Sequence, residues 1–305
     1  MAGTPGTADP LRELVADAEI ESLLKALGRD LPHSVHVYNR VATQQRWRRQ
    51  GEAADVAIYR AVEEGDATDG NATVVSVWRV GTVEEVSVAL HSTDPGGGAL
   101  RAALARSVHI PWAERINFES VHERCLLDLL AAVQARGDDL PRLVRTHKMY
   151  LSKEAALELD VRSVPGLRMG ELQPHHAAAV NDSWAYKSTG TEDMFASAIR
   201  RNPGLSLGLF REEDPAGEPV AFVLGAWYGG LGILYTHDAY RRRGLGELVT
   251  RAASRTLAAR HGLHVHCNIV YPNPASEATL AKVGFRRVCE CTWVHYTPPP
   301  RPRSA

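Results

Sequence analysis

The sequence predicts a mixed α+β (α/β) protein of about two domains. Three observations predict it. The chain has 305 residues, a length that suits about two domains. Short apolar runs bounded by glycine or proline alternate with longer amphipathic stretches, the pattern of strands interleaved with helices. Finally, Tyr240-Arg241-Arg242-Arg243-Gly244-Leu245-Gly246 joins one such apolar run to one such amphipathic stretch.

In the first part of the chain, spacing predicts helices over 11–27, 121–135 and 153–159. Strands are expected over 35–41, 73–80 and 83–90, with turn-rich loops at 65–71 and 94–98. The chain divides near Ser163-Val164-Pro165-Gly166, giving lobes over 1–163 and 164–297 and a proline-rich tail, 298–305, expected to be disordered. In the second part, a helix from Phe195 passes Arg200-Arg201-Asn202-Pro203 and runs into the apolar stretch that ends at Phe210. Leu231 to Thr236, bounded by Gly229-Gly230, reads as a strand. The helix that follows places Leu245, Leu248, Val249, Ala252, Thr256 and Leu257 on one face and Glu247, Arg251, Ser254 and Arg255 outward. It stops at His261-Gly262. A strand over 264–270, a break at Tyr271-Pro272-Asn273-Pro274 and a short helix over 275–282 come next. That helix ends in Val283-Gly284-Phe285, and a last strand holds Cys289 and Cys291 on one face.

The arginine-glycine turn carries the chemistry. Backbone N–H groups at a helix start are unpaired and the helix dipole favours negative charge there. Gly244 and Gly246 let that backbone approach an anion closely, because neither has a Cβ. A diphosphate is the natural guest. Two better-known phosphate loops are excluded: Val249 stands where a dinucleotide fingerprint needs its third glycine, and there is no Gly-Lys-Ser/Thr.

Composition narrows the partners. The net charge of −1 gives no reason to expect nucleic acid or a membrane surface, and no apolar stretch is long enough to span one. The basic group Arg46-Trp47-Arg48-Arg49 reads as a solvated helix end. Four scattered cysteines form no disulfide framework and lack zinc-site spacing, so no metal is expected. The first 25 residues are rich in acids, unlike a presequence or a secretory signal.

Arg241-x-x-Gly244-x-Gly246 at a strand-to-helix junction resembles the pyrophosphate loop of the GNAT acyltransferase superfamily, and Asn273, Gly284 and Phe285 fall where that fold has them. The stretch from Leu172 to Trp184, the helix-to-strand run 195–210, and Leu31-Pro32-His33-Ser34-Val35-His36-Val37-Tyr38 resemble the glycine N-acyltransferase family. That resemblance implies two GNAT-like lobes with mixed central sheets flanked by helices, the first degenerate and the second carrying the acyl-CoA site. It implies acyl-CoA as co-substrate, a small amino acid (glycine above all) as acceptor, direct attack within a ternary complex, a monomer, and mitochondrial location, against which the N-terminal composition argues. Coenzyme A would be held by Arg241, Arg242, Arg243, Gly244, Leu245, Gly246 and Asn273, and its pantetheine by Tyr235 and Thr236.

Two departures from the family pattern bear on catalysis. The glutamate thought to deprotonate the acceptor would fall at Gly230, and the tyrosine beside the leaving thiolate at Leu280. His237, His266 and Tyr271 are therefore the catalytic candidates, with Trp184, Tyr186 and Lys187 shaping the acceptor pocket. Histidine is suited to moving protons near neutral pH. His237 reads equally as a turn residue, His266 as a half-buried strand residue, Tyr271 and Asn273 as turn and cap residues, and Lys187 as a solvated lysine. Two further readings stay open: an acetyltransferase for a protein or small-amine acceptor, and a coenzyme A-binding protein without activity.

Overall fold

The computed structural model describes residues 8–52, 55–62, 72–79, 84–137, 141–184 and 191–300. The first part runs β1 (Leu11–Glu13), α1 (Asp17–Gly28), α2 (Val35–Arg49), β2 (Val56–Ala61), β3 (Thr73–Trp78), β4 (Glu85–Ser92), α3 (Gly98–Arg106), β5 (Arg115–His122), α4 (Glu123–Gln134), β6 (Arg142–Leu151) and α5 (Lys153–Leu157). The second runs β7 (Leu167–Glu171), α6 (Ala177–Ser183), α7 (Thr191–Arg201), β8 (Leu207–Arg211), β9 (Ala221–Gly225), β10 (Leu231–Thr236), α8 (Leu245–His261), β11 (Val265–Val270), α9 (Pro274–Val283) and β12 (Arg286–Tyr296).

Two sheets result. One is eight-stranded, in the order β1-β2-β3-β4-β5-β12-β6-β11, and the other four-stranded, in the order β10-β9-β8-β7. Pairing is antiparallel apart from β4 with β5. The large sheet draws strands from both sides of the division at 163–166. β12, the last strand of the chain, lies between β5 and β6 of the first part.

Three expectations are corrected. The segment 35–41 is not a strand but the start of α2. Its apolar residues Val35, Val37 and Val41 suggested alternation, yet α2 is enclosed on nearly all sides, so His36, Asn39, Arg40, Thr43 and Gln44 are buried as well. A helix buried all round has no polar stripe to reveal its 3.6-residue period. The predicted helix 11–27 begins as β1, whose Leu11 pairs with Ala61, and only turns helical at Asp17. The helix placed over 121–135 starts at Glu123, because Val121 and His122 end β5; β5 and β6 themselves were not anticipated. The loop at 65–71, the residues 80–83 and the tail residues 301–305 lie outside the described residues.

The second part follows the expected order closely. α8 packs Leu245, Leu248, Val249, Ala252, Ala253 and Leu257 into a core shared with Leu207, Leu209 and Val223 of the small sheet and Val265 and Ile269 of β11. α8 and α9 both end on left-handed glycines, Gly262 (φ +65°) and Gly284 (φ +107°). The two lobes meet through an aromatic seam in which Trp47 and Trp78 of the first part pack with Trp227 and Phe195 of the second.

Candidate functional site

The junction between β10 and α8 is built as an anion seat. A short turn over Asp238–Tyr240 leads into Arg241, and Arg242 (φ +63°) and Gly244 (φ +76°) both take the left-handed conformation. That reversal starts α8 with no side-chain cap at Gly244, so the first backbone N–H groups of a 17-residue helix point out of the loop without an intrahelical partner. Arg241, Arg242 and Arg243 are exposed around it. Arg241 is steadied by donating from Nε to the Thr236 carbonyl at 3.2 Å and by Asp238 at 2.7 Å. Gly246 brings the helix start against β10: a Cβ there would touch Thr236 Oγ1 at 3.4 Å.

β10 is an edge strand. It pairs with β9 on one side, and its other side faces β11, which belongs to the large sheet. The sheets therefore part between β10 and β11, leaving a wedge edged by backbone donors and acceptors that no ladder uses. Within the wedge β10 bulges: pairing steps from Gly232↔Leu224 to Leu234↔Val223, so Ile233 is an extra residue outside the ladder.

The wedge opens into a cavity of about 420 Å³ between the lobes. Gly232 and Ile233 form one wall and Asn268 and Val270 of β11 the other; Trp78, Trp184, Phe195, Trp227, Tyr228 and Trp293 make the rest largely aromatic. Two polar atoms on residues of this lining are buried without a hydrogen-bond partner, Asn268 Nδ2 and Asn117 Oδ1. Buried polar groups are nearly always paired, so an unmatched donor and an unmatched acceptor here mark places for substrate atoms. Towards its mouth the cavity is lined by Arg115, Arg142, Glu84, Glu85 and His295, and His295 Nδ1 lies 3.0 Å from Glu85 Oε2.

One carboxylate lies deep in the cavity wall. Glu119 comes from β5, where β5 is out of register with β12 and Ser120 has φ +47°. Trp227 Nε1 donates to Glu119 Oε1 at 2.7 Å, Ser87 Oγ donates to the same oxygen at 2.6 Å, and Arg40 pairs with Oε2. Burial works against the ionised form, but Arg40, His36 and Ser87 outweigh it and take Glu119 down to about 2. His36, 3.7 Å from Glu119, is pushed down to about 4, chiefly by burial. His36 Nδ1 in turn meets His266 Nε2 at 3.2 Å, and Asn39 Nδ2 reaches His266 Nδ1 at 3.3 Å and the Gly229 carbonyl at 2.7 Å.

Tyr235, Thr236, Arg241, Arg242, Arg243, Gly244, Leu245 and Gly246 gather at the β10–α8 junction, and Trp184 lines the cavity. His266 is fully buried behind the cavity wall, not on it, and burial holds its imidazole well below its ordinary range. His237 is exposed and caps the turn before Arg241, accepting from the Ala239 amide. Asn273 caps α9 by accepting from the Ser276 amide at 3.1 Å; Tyr271 is 63% exposed with its ring 5.2 Å from that of His147. Tyr186 and Lys187 lie outside the described residues. At Gly230, a Cβ would sit 2.7 Å from His266 Cε1 and 2.8 Å from the His266 carbonyl, so no side chain fits there. Leu280 is buried in the core. Sequence reasoning missed Glu119, Asn117, Glu85 and His295, because they come from β4, β5 and β12, strands that reach the cavity only through the large sheet.

With this geometry in view, residues 206–294 match the model of the FR47-like protein family. The fold aligns with the crystal structure of a Drosophila protein at TM-score 0.81 and 26% identity, covering 96% of this chain and all of that one. It also aligns with a Pyrococcus horikoshii protein assigned as an acetyltransferase (TM-score 0.54, 12% identity, 97% and 92% of the two chains). A third similar structure is a GCN5-related glucosamine N-acetyltransferase region of a fungal β-N-acetylglucosaminidase (TM-score 0.51, 12% identity, 94% of this chain and 38% of that one). No curated protein matches the sequence. The chain thus carries an FR47-like segment within a fold of GNAT type, two GNAT-like lobes with mixed sheets flanked by helices. Among the described residues, no helix is long and apolar enough to cross a membrane.

Proposed function

We propose that the protein is an acyl-CoA-dependent N-acyltransferase whose acceptor amine enters the cavity between the lobes. The observation that carries this reading is the continuity of three features: an uncapped, arginine-rimmed helix start, an unpaired strand edge, and an aromatic cavity at the end of that edge. The diphosphate of coenzyme A fits the amides of Gly244 to Gly246 and the charges of Arg241 to Arg243. The pantetheine amides fit the free edge of β10 at Tyr235 and Thr236, which delivers the thioester to Ile233 and Asn268.

Transfer then needs an amine without its extra proton, a polarised carbonyl and a stabilised thiolate. Holding acyl donor and amine together supplies several kcal/mol by positioning alone. The bulge frees the Ile233 backbone, and a backbone N–H aimed at the thioester oxygen stabilises the tetrahedral intermediate. Asn117 Oδ1 can accept from the incoming amine. Glu119, already bonded to Arg40, Ser87 and Trp227, orients the acceptor electrostatically but is too acidic to take its proton. We assign that role to His295, which lines the cavity and is held by Glu85 in the carboxylate–imidazole arrangement of a general base. His266, fully buried behind Gly230 and outside the cavity lining, cannot reach the amine.

A small amino acid such as glycine is the acceptor that fits the mouth, where Arg142 can pair with a carboxylate while Arg115 is engaged with Glu84. Thiol release from acetyl-, benzoyl- and oleoyl-CoA, with glycine, glutamine or a simple amine, tests this. Release that depends on glycine and falls sharply in Arg142→Ala supports it. Release that depends equally on an amine lacking a carboxylate points to the small-amine or protein acceptor. Measurable coenzyme A binding with no acceptor-dependent release, for which Gly230 and Leu280 are the motive, points to a binding protein without activity.

A further inference from the structure

A second cluster of chemically able side chains lies outside the cavity. His33 in the turn before α2, His122 at the β5–α4 junction and Cys289 on β12 place their donor atoms within 4.8 Å of one another. We propose that His33, His122 and Cys289 form a three-residue zinc site that ties β12 to the first lobe and opens to solvent beside the half-buried His33. None of the three lines the cavity, so the proposal is independent of the acyl-transfer reading.

The spacing suits the metal. His33 Nδ1 and His122 Nε2 are 3.1 Å apart, and the Cys289 sulfur lies within 4.8 Å of both. In a tetrahedral zinc site with Zn–N near 2.0–2.1 Å, two nitrogens stand about 3.3 Å apart. Imidazole and thiolate donors select zinc over magnesium or calcium, which take oxygen ligands. His33 is only half-buried, which leaves a way in from solvent.

Binding must move protons. The ligating Cys289 thiol gives up its proton to solvent. The proton between the two imidazoles shifts to His122 Nδ1, which now accepts from the Arg124 amide at 3.1 Å, and that cap is exchanged for a metal bond. The gain is structural: a turn, a β-strand end and the last strand of the chain, all far apart in sequence, share one ion.

Cobalt(II) reports such a site by its absorption. Full-length protein stripped with a chelator is titrated with cobalt, following the visible bands of tetrahedral cobalt and the near-ultraviolet thiolate band, and then with zinc. The proposal expects one equivalent of cobalt with a thiolate band, displaced by zinc. It expects binding at least tenfold weaker in His33→Ala and in Cys289→Ser, and unchanged binding in Cys267→Ser on β11. Because Cys289 is buried and its variant could fail to fold, thermal melting of the half-buried His33→Ala variant serves as the second arm. Zinc should raise the melting temperature of the wild type and of Cys267→Ser but not of His33→Ala. The absence of a thiolate band in wild type, or a band that survives both His33→Ala and Cys289→Ser, overturns the site.

Discussion

At the scale of single residues, two positions carry most of the argument. Gly244 has φ +76° at the point where α8 begins, a conformation that a β-branched residue adopts only with strain. Gly244→Val should therefore distort the loop and place a branched side chain against the diphosphate. We expect coenzyme A to bind at least tenfold more weakly by calorimetry, with far-ultraviolet circular dichroism unchanged; equal affinity in a folded variant would remove the loop from the site. Glu119 is the other. Its partners Arg40 and His36 are buried with it, so Glu119→Ala leaves the Arg40 guanidinium without its carboxylate. Breaking a buried pair from one side costs about 3–5 kcal/mol. Urea unfolding should show a loss of that order, whereas a loss below about 1 kcal/mol would mean the pair is solvated. The sequence made the first position readable and hid the second. Arg241-x-x-Gly244-x-Gly246 is local, whereas Glu119 gains meaning only from Arg40, Ser87 and Trp227, distant in sequence.

At the scale of elements, the same contrast explains which parts were legible. β10, α8, β11 and α9 form a contiguous run whose apolar spacing, glycine stops and Asn273 cap are written locally, and each lies where the spacing put it. α2 failed because it is buried on nearly every face, with Arg40 and Gln44 bonded to the first lobe and Asn39 and Arg46 to the second. Asn39 holds the Gly229 and His264 carbonyls, and a Cβ at Gly229 would sit 2.5 Å from Thr43 Oγ1. Together with the contact of Gly230 against His266, that close approach explains why the β9–β10 hairpin has two glycines and no room for an acid. β12 has a consequence for folding. A fragment ending at residue 163 would keep β5 and β6 but lose the strand between them. Such a fragment should lack a cooperative unfolding transition, whereas the full chain has one. A fragment that melts cooperatively by itself would show that β12 is dispensable to the first lobe.

At the scale of the whole molecule, the interface is a polar layer sealed between two sheets, and its ionisation sets the acid limit of the fold. His36 is pushed down to about 4, chiefly by burial, and burial likewise holds His266 well below the ordinary value of 6.5. Between those values and 6.5 the unfolded chain binds protons that the folded chain does not, so stability falls as pH drops. Each such histidine contributes a slope of about 1.4 kcal/mol per pH unit. Glu119 and Asp30, both held down to about 2, add stability above pH 4 that is lost as pH falls towards 2. Urea midpoints should decline steadily from pH 6.5 to 4, and a flat profile there would mean these histidines are hydrated. The lobes thus depend on each other, and the cavity they enclose is where the account places the chemistry. The most direct measurement is a crystal structure of the protein with acetyl-CoA. The account predicts the diphosphate on the amides of Gly244 to Gly246, the pantetheine along the free edge of β10, and the thioester beside Ile233 and Asn268. Coenzyme A bound away from α8, or a wedge between β10 and β11 that stays empty at saturating acetyl-CoA, would contradict it.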